Sequence, residues 1–360
     1  RTNRLHSLIN KRIKLIMAYT TINKSTDYFN TLLYSGNSTA RSLTGVGFEP
    51  SWVWIKERTS TSDHMLFDQP RGVQKYISSN LTNAEQTSAG MLTAFGSDGF
   101  SLGNGNDVND NGQTYASWNW KANGAGSSNT DGSITSTVSA STTSGFSIVK
   151  YTGNDTNSTV GHGLGKVPKT IMVKQLNGSN AWRVYTEATG NTSQGELNDG
   201  ASFDSGNTSM WNSTTPTSSV FSIGTHGSVN GGSDTYIAYC FADVQGFSKI
   251  GSYVGNGQGN ANGTFVYTGF KPAFVLIKNA DFNSNWNNFT GDIPGYNQIN
   301  DTLQPNLSSA ENGTFAFDML SNGFKHRSGD VMDRDGDTHI YMAFAAAPLV
   351  GTNNVPATAR

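Results

Sequence analysis

The sequence predicts an all-β protein made of three tandem antiparallel β-sandwich repeats, jelly-roll-like, of about 100 residues each. Three observations predict it. The 360 residues carry 41 glycines and 11% aromatics but only 14% charged side chains. Such a chain is turn-rich and lacks the net charge that keeps a disordered segment expanded. A set of five anchors recurs three times in one order, the mark of an internal repeat. No long segment shows the 3.6-residue period of a helix, although residues 83–92 suit a short one.

The chain opens on a basic segment, residues 1–17, with Arg1, Arg4, Lys11, Arg12 and Lys14 and no acid. It lacks the ~7–15-residue apolar run of a signal peptide. The composition changes after Met17. The segment reads as an extension outside the native fold, either upstream translated sequence or a basic arm for an acidic partner.

The repeat anchors follow. Each unit begins with Tyr34-Ser35-Gly36-Asn37, Tyr151-Thr152-Gly153-Asn154 or Tyr253-Val254-Gly255-Asn256. Next comes a Gly–x–x–Pro entry and an apolar strand ending in lysine: Pro50 to Lys56, Pro168 to Lys174 and Pro272 to Lys278. An aromatic pair lies at one fixed distance beyond that lysine, as His64 and Phe67, Trp182 and Tyr185, Trp286 and Phe289. A short strand carries Phe100, Phe221 or Phe324, and a closing strand runs from Thr114, Thr235 or Thr338. The units are residues 27–122, 145–244 and 246–350. Residues 123–144, rich in Gly, Ser and Thr, read as a linker, and 351–360 as a C-terminal tail. Units two and three meet without a spacer, so they are expected to pack as a pair.

Strand side chains alternate between faces. Val53, Ile55, Ile171, Val173, Val275 and Ile277 are aliphatic in every copy and are assigned to the core. The opposite set, Trp52 and Trp54, Thr170 and Met172, Phe274 and Leu276, varies as a half-buried face or an interface would. The closing rows Ala116/Trp118/Trp120, Ile237/Tyr239/Phe241 and Ile340/Met342/Phe344 are assigned to a second core row.

Composition also excludes functions. A net charge of -2 supplies no field for nucleic acid. No apolar run reaches the ~18–20 residues that span a bilayer. The single cysteine, Cys240, rules out an internal disulfide framework. Gly161-His162-Gly163-Leu164-Gly165-Lys166 is followed by Val167, not the Ser or Thr of a phosphate-binding loop, so it reads as an entry turn. No histidine pair has zinc-hydrolase spacing. Acids such as Glu49, Asp63, Glu187 and Asp318 recur at no shared position, so no shared catalytic pair is implied and the chain reads as non-catalytic. Two candidate sites remain. Asp333, Asp335 and Asp337 alternate around Gly336, as the oxygen ligands of Ca²⁺ do; a plain Asp/Asn/Gly hairpin loop is the other reading, and Phe344 stands where an EF-hand needs Glu. Trp211 has no counterpart in the other copies and lies in a polar stretch, so it is the candidate ring for stacking on a sugar. Trp182 and Trp286 fill a slot of the repeat itself.

Several stretches carry a resemblance: Asp98-Gly99-Phe100-Ser101-Leu102-Gly103, Trp118-Asn119-Trp120-Lys121-Ala122, Tyr236-Ile237-Ala238-Tyr239-Cys240-Phe241-Ala242, Gly255-Asn256-Gly257 and the end from Ala343. From about residue 44 onward the chain resembles a family of tandem-repeat virion proteins of tailed bacteriophages, mostly marine and cyanobacterial. The resemblance implies a place on the surface of the phage particle, other virion proteins as partners and no catalytic site. A tail-fibre or adhesin component for host attachment is one expectation, since an uncharged Asn/Thr/aromatic surface suits host-surface glycans. A head or tail decoration subunit is the second, and a secreted carbohydrate-binding module the third. A homotrimer, or one chain with its three repeats in a pseudo-threefold body, fits the first two.

Overall fold

The computed structural model describes residues 19–350, so the expectations for the basic extension 1–17 and the tail 351–360 lie outside the described residues. Antiparallel β-sheet dominates, helix is confined to single turns, and no sheet closes into a barrel.

Each repeat is built on a four-strand ladder in the same order. An opening strand (Phe29–Ser35) pairs with the closing strand (Thr114–Trp120), which pairs with the proline-anchored strand (Trp52–Glu57), which pairs with a short aromatic strand (Met65–Asp68). The second repeat repeats this with Phe146–Thr152, Thr235–Phe241, Thr170–Gln175 and Arg183–Thr186, and the third with Ser248–Val254, Thr338–Pro348, Phe270–Asn279 and Asn287–Thr290. The register is shared as well: Trp52 faces Trp120, Thr170 faces Phe241, and Phe274 faces Phe344. Since a one-residue slip would turn every side chain over, equal register gives equal faces.

One face of each ladder carries the aliphatic set into a local core. Val53 and Ile55 pack with Leu92, Phe100 and Leu102; Ile171 and Val173 with Val160, Phe221 and Ile223; Val275 and Ile277 with Val266, Phe317 and Phe324. The covering residues come from a small second sheet of two or three strands in each repeat. The other faces do not form a half-buried surface. They meet in a single core shared by all three repeats, with Trp52, Trp54, Trp118 and Trp120 from the first, Met172, Tyr239 and Phe241 from the second, and Phe274, Leu276 and Phe344 from the third. The closing rows belong to this shared core too. Rings converge there: Trp52 lies 4.4 Å from Tyr239, Phe274 5.6 Å from Trp120, and Phe241 5.9 Å from Phe344. Truncating one such ring costs ~3–5 kcal/mol, so much of the stability lies between repeats.

Three expectations are corrected. Residues 123–144 are no linker. Ser127–Asn129 and Ser136–Ser141 add two strands to the opening strand of the second repeat, giving it a six-strand sheet. A Ser/Thr-rich segment can do this because ladder pairing uses backbone groups, and Ile134 and Val138 anchor it in the local core. Residues 83–92 hold a two-residue strand, Gln86–Thr87, and turns rather than a helix. Units two and three do not pair off alone, because the first contributes equally to the shared core.

Candidate functional site

The junctions between repeats are built from equivalent residues. Trp182 Nε1 donates to Ser78 O of the first repeat at 2.9 Å, and Trp286 Nε1 donates to Glu196 O of the second at 2.8 Å. In the first repeat the slot holds His64. Its Nδ1 accepts from Trp54 Nε1 at 2.9 Å, so Nε2 carries the proton and donates to Gln304 O of the third repeat at 3.1 Å. Burial holds this imidazole well below the usual histidine range, hence neutral. One main-chain bond follows the same path: Glu85 N to Leu176 O, Phe203 N to Ala280 O, and Glu311 N to Arg58 O. The contacts run first to second, second to third and third to first, so they close a cycle. Asn80, Asn198 and Asn306 support it by accepting from the backbone N of His64, Trp182 and Trp286.

Two junctions carry a further buried link. Trp118 Nε1 donates to Thr290 Oγ1 at 2.9 Å, and Tyr239 Oη donates to Asp68 Oδ2 at 2.7 Å beside the buried Asp68–Arg71 ion pair. Met342 occupies that place in the third repeat and has no hydrogen to donate. A small void lies there, lined by Thr170, Met172, Leu276, Trp286 and Met342.

The loop before each closing strand is also built three times. Tyr34, Tyr151 and Tyr253 donate through their hydroxyls to Val108 O, Val229 O and Met332 O. Glycine follows two residues later because a Cβ at Gly36, Gly153 or Gly255 would sit 2.0, 2.3 or 2.3 Å from Asp110 O, Gly231 O or Arg334 O. Asn109 and Asn230 brace this turn, each accepting through Oδ1 from the backbone N of Asn37 or Asn154 and donating through Nδ2 to Thr39 O or Thr156 O. Asp333 is the third brace.

That placement corrects the calcium reading. Both oxygens of the fully buried Asp333 are engaged, Oδ1 with Asn256 N at 3.2 Å and Oδ2 with Thr264 N at 3.1 Å. Asp337 Oδ2 accepts from Asn279 Nδ2 at 2.8 Å and Arg334 at 3.0 Å, and Asp335 is exposed. Calcium needs six to eight oxygens converging on one point, whereas these carboxylates address separate donors. Among the described residues no group of three His, Cys, Asp or Glu could hold a metal ion.

Trp211 is corrected as well. It is 2% exposed, sits in the local core of the second repeat, meets Tyr185 edge-on and donates Nε1 to Ser193 O at 3.0 Å. No face of it is open to a sugar.

Sequence reasoning used the three repeated lysines as markers and missed their environment. Lys56, Lys174 and Lys278 are buried on the shared-core face, and each Nζ donates to the carbonyl of the next residue at 2.6, 2.7 and 2.6 Å. Burial pushes each ammonium down to about 8. They tie off strand ends inside the junctions and face no cleft.

The surface feature that sequence reasoning also missed is a cleft of about 510 Å³ on the third repeat. Tyr296, 71% exposed, stands beside it with Asp292, Lys271 and Asn297. The signal lay in the sequence: Tyr296 is an aromatic outside the repeat frame in a Gly/Pro turn, the same criterion that singled out Trp211.

The profile of a family described as Domain of unknown function (DUF7483) matches residues 24–348. No curated protein and no solved structure matches the chain.

Proposed function

The chain belongs to the DUF7483 family, and on that footing we propose that it is a non-catalytic surface subunit of a tailed-phage virion, a tail-fibre or adhesin component that contacts host-surface glycans. The finer architecture in this reading is three jelly-roll-like sandwiches in a pseudo-threefold body. The observation that carries it is the cycle of equivalent junctions around one aromatic core. A single chain whose three repeats close on one another can occupy a threefold position without a homotrimer. The resemblance to tandem-repeat virion proteins and the low charge of the chain, 14% of its residues, support the same reading.

The cycle also favours a second reading, a decoration subunit seated on a threefold point of the head or tail. One experiment separates them. Purified protein is tested for adsorption to marine cyanobacterial strains and for blocking phage infection. Adsorption with competition supports the adhesin. Protein that does not adsorb but labels capsids in electron micrographs supports decoration. A secreted carbohydrate-binding module would bind glycan and label no particle.

A further inference from the structure

We propose that the cleft on the third repeat is a sugar-binding subsite, with Tyr296 as the platform under the ring and Asp292 and Lys271 as partners of its hydroxyls. The inference rests on the adhesin reading for its biological meaning, but its chemistry stands on the cleft alone.

Tyr296 leaves 71% of its surface in water, and the loop bearing it is pinned on both sides. Ile293 N donates to Thr290 O at 3.0 Å. Asn297 then imitates a strand residue with its side chain: Nδ2 donates to Met319 O and Oδ1 accepts from Met319 N, both at 2.9 Å. Two residues on, Ile299 and Phe317 exchange backbone bonds at 2.7 and 3.0 Å. The ring is thus held out by a preorganised support, which lowers the ordering cost of binding.

The chemistry beside it is mixed in the way a pyranose is. A sugar offers an apolar C–H face and a rim of hydroxyls. Tyr296 supplies a flat amphipathic face, and Pro272, Ile299 and Met319 supply an apolar wall. Burial raises the Asp292 carboxyl above its ordinary range, and the charge of nearby Lys271 opposes that shift; both side chains line the cleft, so an acceptor and a donor stand together. A carboxylate accepts from two hydroxyls and an ammonium donates to them. The volume of about 510 Å³ falls within the ~300–1,000 Å³ of small-molecule sites.

The cleft is not a by-product of triplication. The position of Lys271, just before the anchor proline, holds Glu49 in the first repeat and Val167 in the second. The wall at Ala346 exists because the closing strand of the third repeat runs on to Pro348, where those of the first two end at Trp120 and Phe241.

Saturation-transfer NMR on the whole chain tests this, with the methyl glycosides of glucose, galactose, mannose, N-acetylglucosamine and rhamnose as probes at millimolar concentration. Transfer to the ring protons of at least one is expected. Tyr296→Ala should weaken that binding ~10-fold, with unchanged circular dichroism because the ring is exposed. Tyr267→Ala, an exposed tyrosine outside the cleft, should leave it unchanged. Absence of transfer from all five, or equal transfer in Tyr296→Ala, overturns the site. Cell adsorption keeps the two ideas apart: adsorption without Tyr296-dependent sugar transfer removes the cleft and keeps the adhesin, whereas Tyr296-dependent sugar binding without adsorption keeps the cleft and removes the adhesin.

Discussion

Asn288 shows what a single residue can cost. It pairs with Leu276 on the shared-core side, where Leu66 and Val184 stand in the other repeats, and neither its amide nitrogen nor its oxygen has a partner. A buried polar group without a partner costs about 1–3 kcal/mol. Asn288→Leu is therefore expected to stabilise the protein by ~1–2 kcal/mol in urea unfolding; a loss of stability would show that the amide is satisfied in solution. The lysines give a pH test. Lys56, Lys174 and Lys278 lie at about 8 when folded against 10.5 ordinarily. Below pH 8 folded and unfolded chains are both protonated and the burial penalty is complete. From pH 8 upward the unfolded chain holds more protons than the folded one, so stability rises. Above pH 10 the sign reverses, because burial keeps Tyr34, Tyr151 and Tyr253 protonated while unfolded tyrosines ionise. The urea midpoint should climb between pH 8 and 10, then fall, and Lys278→Met should flatten part of the climb. A profile level from 8 to 10 would contradict the buried ammonium account. The Asp333 brace belongs here too: Asp333→Asn sets an amide N–H₂ or a lone acceptor against Thr264 N and Asn256 N, and should cost ~1–3 kcal/mol, with no change on adding Ca²⁺ or chelator.

At the scale of elements, the strand Ser136–Ser141 pairs on both sides, with Ser127–Asn129 and with Phe146–Thr152. Val138→Pro removes a ladder donor and strains the backbone, so it should destabilise by ~3 kcal/mol or more; an unchanged thermal midpoint would restore the linker reading. This element also shows why part of the fold was illegible. Period-2 reading found the proline-anchored and closing strands because Val53 and Trp118 announce their faces. Ser136 to Ser141 has few large apolar side chains to show a period, and its pairing is carried by backbone groups that every sequence possesses. The candidate sites failed for a related reason. An Asp-rich turn and an unaligned tryptophan look the same whether they face outward or inward. Only the third dimension reveals that Asp333 does the work of Asn109 and Asn230, and that Trp211 lies against Tyr185.

At the scale of the whole molecule, the largest apolar surface of each repeat is covered by the other two. The three repeats should therefore unfold in one cooperative transition with coincident tryptophan fluorescence and far-ultraviolet circular dichroism. Three separable steps would mean that the shared core contributes little. A single repeat expressed alone would expose that aromatic face and should aggregate. Trp182→Phe deletes the bond to Ser78 and leaves a cavity where the pyrrole ring was, and should cost ~2–4 kcal/mol in that same single transition.

The junctions form a loop of contacts while the polypeptide is a line, and this separates the architecture from the order of its coding sequence. The first repeat grips the third through His64 and Glu311 as firmly as neighbours in sequence grip each other. Near the start of the described chain, Phe29 already stacks on Phe344 of the last strand at 5.1 Å. A circular permutant with new ends between Ala242 and Gly246, and residues 19 and 350 joined by a flexible tether, should rebuild the same body. Rotating the thirds of the gene would leave the protein unaltered in everything except where translation begins.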